Sequence, residues 1–220
     1  MKIEVYSDIV CPWCYIGEKR LAQALADRPD VEVERVWRPF QLRPEMPPEG
    51  EPWATFAAAK FGGTARAAAM FAQVAAAGAP DGAVFRFDRV ASAPNTVDAH
   101  RLVLWAREQG RGEWAMADAL YAAYFAEGRN LNDRDTLLAL AVSVGLDADE
   151  TRRHLDGGGG AAAVRESQQT AAEHGISSVP TYVIDGRYAV VGAQPAAAFA
   201  QVFDAVLAEE ATARMQPVGS

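Results

Sequence analysis

The sequence predicts an α/β chain. A βαβ unit at the start and a ββα unit at the end share one sheet, and an all-helical block is inserted between them. Three observations predict this. Polar–apolar alternation of the strand type appears near the two ends of the chain. From Trp53 to about His174 the apolar residues recur at helical spacing instead. Near the C-terminus, Asp185-Gly186 separates two apolar runs, a strong two-residue hairpin signal.

Each element has its local reason. Lys2-Ile3-Glu4-Val5-Tyr6 alternates as a strand does. Pro12 suits the first position of a helix, where a missing N–H costs nothing, and Leu21, Ala22 and Leu25 continue a stripe that stops before Pro29. Val31 to Trp37 reads as a second strand, ended by Pro39 and Pro44. Its apolar phase slips between Val33 and Val36, which points to a bulge. Strand, helix, strand in this order is expected to be a right-handed βαβ unit with parallel strands. Met46-Pro47-Pro48-Glu49-Gly50 is a linker by composition. In the helical block Gly78, Gly110, Gly128, Gly145 and Gly175 are expected as left-handed C-caps, and Thr64, Asn95 and Asp133 as N-caps. Tyr121, Tyr124 and Phe125 stand at helical spacing. The hairpin strands are Thr181 to Ile184 and Arg187 to Val191. Pro195 then opens a helix with Phe199, Val202, Phe203, Val206 and Leu207 on one face. Ala211 to Ser220 is expected to fray. The expected divisions are 1–44 and 163–220 for the two halves of the sheet domain and 45–162 for the insertion.

Composition narrows the function. The 220 residues, 50% hydrophobic and 23% charged, suit one folded domain with a sizeable insertion. A formal net charge of -8 argues against a nucleic-acid partner, which a basic face would serve. No apolar run approaches the length of a membrane span, and a strand pattern follows Met1 where a secretion signal would have its apolar core. A cytoplasmic protein is expected, with no membrane partner. The alanine-rich runs are broken by Lys60, Arg66 and Gln73.

The chemistry concentrates in Cys11-Pro12-Trp13-Cys14, which contains both cysteines of the chain. Two thiols this close cannot staple a fold. Placed at a helix start, the first sulfur meets free backbone N–H groups and the positive end of the helix dipole, which favour the thiolate. The spacing brings the second sulfur within disulfide reach. Cys11 is therefore expected to attack and leave, and Cys14, further into the helix and less exposed, to resolve the mixed disulfide. Zinc is the weaker reading, because His100, His154 and His174 lack paired ligand spacing. Inert core thiols are weaker too, given the proline between the pair. No metal and no cofactor beyond the dithiol itself is expected. Trp13 is equally readable as an apolar platform for substrate and as packing against the insertion. Val179-Pro180 precedes a strand. Taken alone it is either an ordinary trans proline at a strand start or a cis bond that frees the Val179 backbone for an extended substrate. Gly157-Gly158-Gly159-Gly160 lacks the lysine and the preceding strand of a phosphate loop, and is expected to be a flexible joint.

Ser7-Asp8-Ile9-Val10-Cys11-Pro12-Trp13-Cys14-Tyr15-Ile16-Gly17 together with Ser178-Val179-Pro180-Thr181 resembles the DsbA-like thioredoxin-fold oxidoreductases. The resemblance is to their FrnE-like branch, which includes relatives of 2-hydroxychromene-2-carboxylate isomerase. Trp37 to Leu42, Asn95 to Leu102 and Ala123 to Gly128 extend it over nearly the whole chain. It implies a thioredoxin fold (βαβ … ββα) with a helical insertion. Cys11 would be the nucleophile, Cys14 the resolving thiol, and Pro180 a cis-proline facing them. Pro12, Trp13, Val179, Asn95 and His100 would lie on the substrate side. For Asn95 and His100, capping and core packing are the competing reading. The chain departs from thioredoxins and periplasmic DsbA proteins in carrying Val5 where those place a buried acid. Asp8 is the nearest carboxylate and is readable as a solvated or capping residue.

The implied activity is that of a protein disulfide oxidoreductase, with a protein or small-molecule disulfide as partner. In a reducing cytosol it would act as a reductase, an isomerase or a stress-dependent oxidant. Two alternatives are carried forward. One is an isomerase using glutathione or another low-molecular-weight thiol as co-substrate. The other is a non-catalytic peptide-binding module.

Overall fold

The structure, a computed structural model, describes residues 1–215. Strand β1 (Lys2–Ser7) leads into helix α1 (Pro12–Ala26) and strand β2 (Glu34–Pro39). β1 and β2 are parallel, with Lys2 opposite Glu34 and Ser7 opposite Pro39. That register is unbroken, so no bulge is present. The slip in apolar phase marks the start of the strand at Glu34, because Val31 and Val33 precede it.

The insertion begins with a two-residue strand β3 (Glu51–Pro52), followed by α2 (Trp53–Phe61) and α3 (Thr64–Gly78). Strand β4 (Ser92–Ala93) pairs with β3 in an antiparallel ribbon, so the block is not wholly helical as expected. Then come α4 (Val97–Glu108), α5 (Glu113–Tyr121), α6 (Arg134–Ser143), α7 (Ala148–Asp156) and α8 (Ala161–Glu173). α5 runs on into a π-helical turn, Ala122–Glu127. Gly110, Gly128, Gly145 and Gly175 take the expected left-handed conformation after helices. Gly78 does not: it is the last residue of α3 at φ -88°, and its missing Cβ makes room for Ile16 and Phe85. Thr64 is not a cap either, since Gly63 holds that position. Asp133 caps α6, accepting from the Thr136 N–H.

The chain returns to the sheet with β5 (Thr181–Ile184) and β6 (Tyr188–Val191), and closes with α9 (Ala196–Met215). The sheet order is β2-β1-β5-β6. Asp185 and Gly186 both have positive φ, as the turn type requires. Ile184 pairs with Tyr188, however, so Arg187 falls outside the ladder and the connection is one residue longer than expected. α9 is helical through Met215, past the point where fraying was expected, and residues 216–220 lie outside the described ones.

Alternation on β1 decides what each face packs against. Ile3 and Val5 join Leu21, Ala24, Tyr182, Phe199, Phe203 and Val206 beneath α1 and α9. Tyr6 points the other way, to Phe40 and Ala171 of α8. This is the thioredoxin arrangement, with the helical insertion laid over the end of the sheet where α1 begins. The outer edge of β2 is tied to that insertion. The Trp37 N–H donates to Glu113 Oε1 at 2.9 Å, and the Gln41 N–H donates to Gln168 Oε1 at 2.8 Å. No helix among the described residues is long and apolar enough to cross a membrane.

Candidate active site

Cys11 occupies the N-cap of α1 and Pro12 its first turn, with no side chain capping the helix. The chain reaches this position through a turn in which the Cys11 N–H donates to Asp8 O at 3.0 Å. Cys11 thus sits at the positive end of the α1 dipole, while the Cys14 and Tyr15 N–H groups donate to its backbone carbonyl at 3.0 and 3.3 Å. Both thiols are free. Cys14 is 1% exposed and Cys11 only 4%, so the attacking sulfur is far less open than the sequence suggests. Burial pushes the Cys14 thiol well above its ordinary range, and the neighbouring Cys11 adds to the effect.

The Val179–Pro180 bond is cis. It brings the Val179 carbonyl to the active site, where the Cys11 thiol donates to it over 3.7 Å. Gly17 makes the approach possible: a Cβ there would lie 2.2 Å from Tyr182 Oη and 3.0 Å from Pro180 Cγ. A helix with any other residue at this position would be held off the Pro180 loop.

A cavity of about 300 Å³ opens at the Cys11 sulfur. Pro12, Trp13 and Val179 form its near wall together with Asp8, Leu42 and Arg43, and the insertion contributes aromatic residues including Trp53, Phe56, Phe71, Phe87 and Phe125. Trp13 is 42% exposed at the rim, so it is not buried against the insertion. The π turn after α5 carries Tyr124 and Phe125 into the lining. Asn95 and His100 are not among the lining residues. Thr96, not Asn95, holds the N-cap of α4; Asn95 Oδ1 accepts from the Val97 N–H at 3.0 Å and its Nδ2 donates to Met46 O at 2.6 Å, which tethers the turn before the helix. His100 is wholly buried. Trp37 Nε1–H donates to its Nδ1 at 3.3 Å, which leaves the ring proton on Nε2, 3.3 Å from Asp8 Oδ1. That contact is close but off hydrogen-bond alignment, so neither atom has a hydrogen-bond partner.

Asp8 is thus neither solvated nor a helix cap. It is fully buried, and its Oδ2 accepts from the Leu42 N–H at 2.8 Å. Val5 packs in the core at 2% exposure. Three polar side chains near the start of α1 were not foreseen. The Ser7 and Tyr121 hydroxyls lie 2.8 Å apart, and the Ser7 hydroxyl draws the Cys14 thiol downward against the larger effect of burial. Glu18 follows Cys14 by one helical turn, buried and paired with Arg35 at 2.6 Å, with desolvation pushing its carboxyl up to about 7. Its signal was in the sequence: an acid within the Cys14–Leu21 stripe at positions i+4 and i+7. The cavity wall also had a signal, aromatic residues spaced among alanines between Trp53 and Phe87. The Gly157–Gly160 run is a closed turn, not a flexible joint, because Arg101 Nε donates to Gly159 O at 2.5 Å. No group of three or more His, Cys, Asp or Glu among the described residues is placed to hold a metal ion.

A thioredoxin-like sheet with a Cys-x-x-Cys pair at a helix start and a cis-proline beside it defines a class, the thiol oxidoreductases of this fold. The model of the DSBA-like thioredoxin domain matches residues 2–204, and the chain belongs to that family. It is 30% identical to the YwbO protein of Bacillus subtilis (strain 168) over 215 residues, 94% of this chain and 96% of that one. It is similar to the crystal structure of a "probable DsbA oxidoreductase" from Streptomyces coelicolor, with a TM-score of 0.86 and 38% identity over 100% of this chain and 93% of that one. 2-Hydroxychromene-2-carboxylate isomerase shares the fold at a TM-score of 0.71 and 16% identity, covering 96% of this chain and 98% of the isomerase.

Proposed function

We propose that the chain is a dithiol–disulfide oxidoreductase. The observation that carries this reading is the placement of Cys11 at the uncapped start of α1, against the Val179 carbonyl, with a buried partner thiol one turn on. The Cys11 thiolate attacks one sulfur of a disulfide. The substrate S–S bond breaks, one thiolate leaves, and a mixed disulfide forms on Cys11. Cys14 loses its proton, attacks the Cys11 sulfur and expels the second thiolate, leaving a Cys11–Cys14 disulfide. The substrate gains two electrons and the protein loses two. The high proton affinity of Cys14, set chiefly by burial, suits this order because it makes Cys14 a poor first attacker, and the smaller contribution of Cys11 is relieved once Cys11 is held in the mixed disulfide. Pro180 keeps the Val179 backbone beside the attacked sulfur. In a reducing compartment such as the cytoplasm the dithiol is the resting form and the protein works as a reductase.

Trapping tests the reading. Cys14→Ala should accumulate mixed disulfides on Cys11, detected by intact-mass spectrometry, and Cys11→Ala should accumulate none. Full disulfide-reductase turnover by Cys14→Ala would overturn the two-cysteine mechanism. Thiol-dependent isomerisation of an aromatic substrate that survives the loss of Cys14 would favour the isomerase reading instead.

A further inference from the structure

We propose that the disulfide taken by this site is a small aromatic one bearing a carboxylate, which enters the cavity whole; this rests on the oxidoreductase reading above. Cys11 is 4% exposed, so the attacking sulfur is reached through the cavity and not across an open face. A volume of about 300 Å³ is at the small end of ligand pockets, roughly 300–1,000 Å³.

The walls decide what fits. Trp53, Phe56, Phe71, Phe87 and Phe125 offer ring faces and edges. Phe71 and Phe87 stack at 4.1 Å between centroids, and Trp53 lies 5.5 Å from Phe71. Few polar groups line the cavity, and Asp8 Oδ1 is the buried oxygen among them without a hydrogen-bond partner. Asp8 accepts from the Leu42 N–H, and the Tyr124 hydroxyl donates to Ser92 O at 3.2 Å. A cystine loop of a folded protein would bring backbone N–H and C=O groups against these rings, with the Val179 backbone at the near wall as their one evident partner. Glutathione disulfide would bring amides, ammonium groups and several carboxylates into the same surroundings. An aryl disulfide brings rings and two soft sulfurs, which such walls accept.

The rim sets the charge. Arg43 is matched by Glu45 and by Glu51 at 3.8 Å. Lys60 makes no ion pair among the described residues; its Nζ lies 5.5 Å from the Phe56 ring centre. It is the cation left to meet an acidic substituent on a ring held below it.

The reaction balances as follows. The Cys11 thiolate displaces one aryl thiolate and forms a Cys11–aryl mixed disulfide. Cys14 then displaces the second aryl thiolate, and a low-molecular-weight thiol reduces the resulting protein disulfide.

The test mixes pre-reduced protein in single turnovers with the bis(nitrobenzoate) disulfide used for thiol colorimetry, diphenyl disulfide, glutathione disulfide and insulin. Each rate is divided by that of free dithiothreitol with the same compound, which removes intrinsic reactivity. The normalised rate for the carboxylated aryl disulfide should exceed those for glutathione disulfide and insulin by on the order of tenfold or more. In Lys60→Glu the ratio of carboxylated to uncharged aryl disulfide should fall several-fold. Insulin or glutathione disulfide reduced as well as the aryl compound would overturn the substrate class and leave the oxidoreductase reading standing. An unchanged ratio in Lys60→Glu would remove the carboxylate from it. Failure to reduce any of the four would sink both readings.

Discussion

Glu18 shows how much one buried charge can couple to the whole chain. Its carboxyl has the usual value of 4.5 when exposed and is pushed up to about 7 in the fold, chiefly by desolvation. The folded chain therefore holds this proton more tightly than the unfolded one. The stabilisation is complete below about pH 4.5 and is lost as pH rises through about 7. The shift corresponds to a change on the order of 3 kcal/mol. Urea unfolding at pH 5 and pH 8 should show wild-type stability falling across the window by more than that of Glu18→Gln, which cannot ionise. An equal fall in both proteins would show that Glu18 does not titrate in this range. At the same scale, Asp8 and His100 form a buried contact beside the cavity, linking the turn after β1 to helix α4.

At the scale of elements, the seating of α1 on β5 governs the site. Gly17 is one turn beyond Trp13 on α1, and its bare backbone lies against Tyr182 and Pro180. Gly17→Ala inserts a methyl group into space already filled, and overpacking of this kind costs about 1–3 kcal/mol. Here it would also push α1 away from Val179. The expected result is a lower melting temperature together with altered alkylation kinetics at Cys11. A variant as stable as the wild type, with unchanged Cys11 reactivity, would show that α1 does not need this approach. The π turn after α5 has a comparable influence, because it sets where Tyr124 and Phe125 meet the cavity.

Over the whole molecule, the insertion is held together from its own interior as well as by the sheet. Arg101, 5% exposed on α4, donates to the carbonyls of His154 at 2.9 Å, Leu155 at 2.7 Å and Gly159 at 2.5 Å, and pairs with Asp98. It closes the turn between α7 and α8, and α8 in turn covers the sheet. Arg101→Met strands several buried acceptors, a change that typically costs about 3–5 kcal/mol. Chemical denaturation should report that loss. Alkylation of Cys11 in the variant, measured under native conditions, should keep the wild-type rate, because neither Arg101 nor the turn it closes lines the cavity at Cys11. A loss below about 1 kcal/mol would show that water replaces the guanidinium without difficulty.

Lys2 to Tyr6, the Cys11–Cys14 segment, the Asp185-Gly186 turn and the Phe199–Val206 face were legible in the sequence because each is a local pattern. Alternation, a proline at a helix start, paired positive φ and helical spacing all act within a few residues. Together they were enough to read the fold class and the position of the dithiol at a helix start. Other features depend on partners far along the chain. The burial of Cys11 comes from an insertion that folds back over it. Asp8 is held by Leu42 and His100, and the Gly78 gap is shaped by Ile16 and Phe85. The short β3–β4 ribbon joins residues some forty positions apart, and no local propensity marks a pairing of two residues. The cavity belongs to this second group. Its aromatic residues are visible in the sequence, but only tertiary packing turns them toward one sulfur, since side-chain spacing sets a face and not what that face meets.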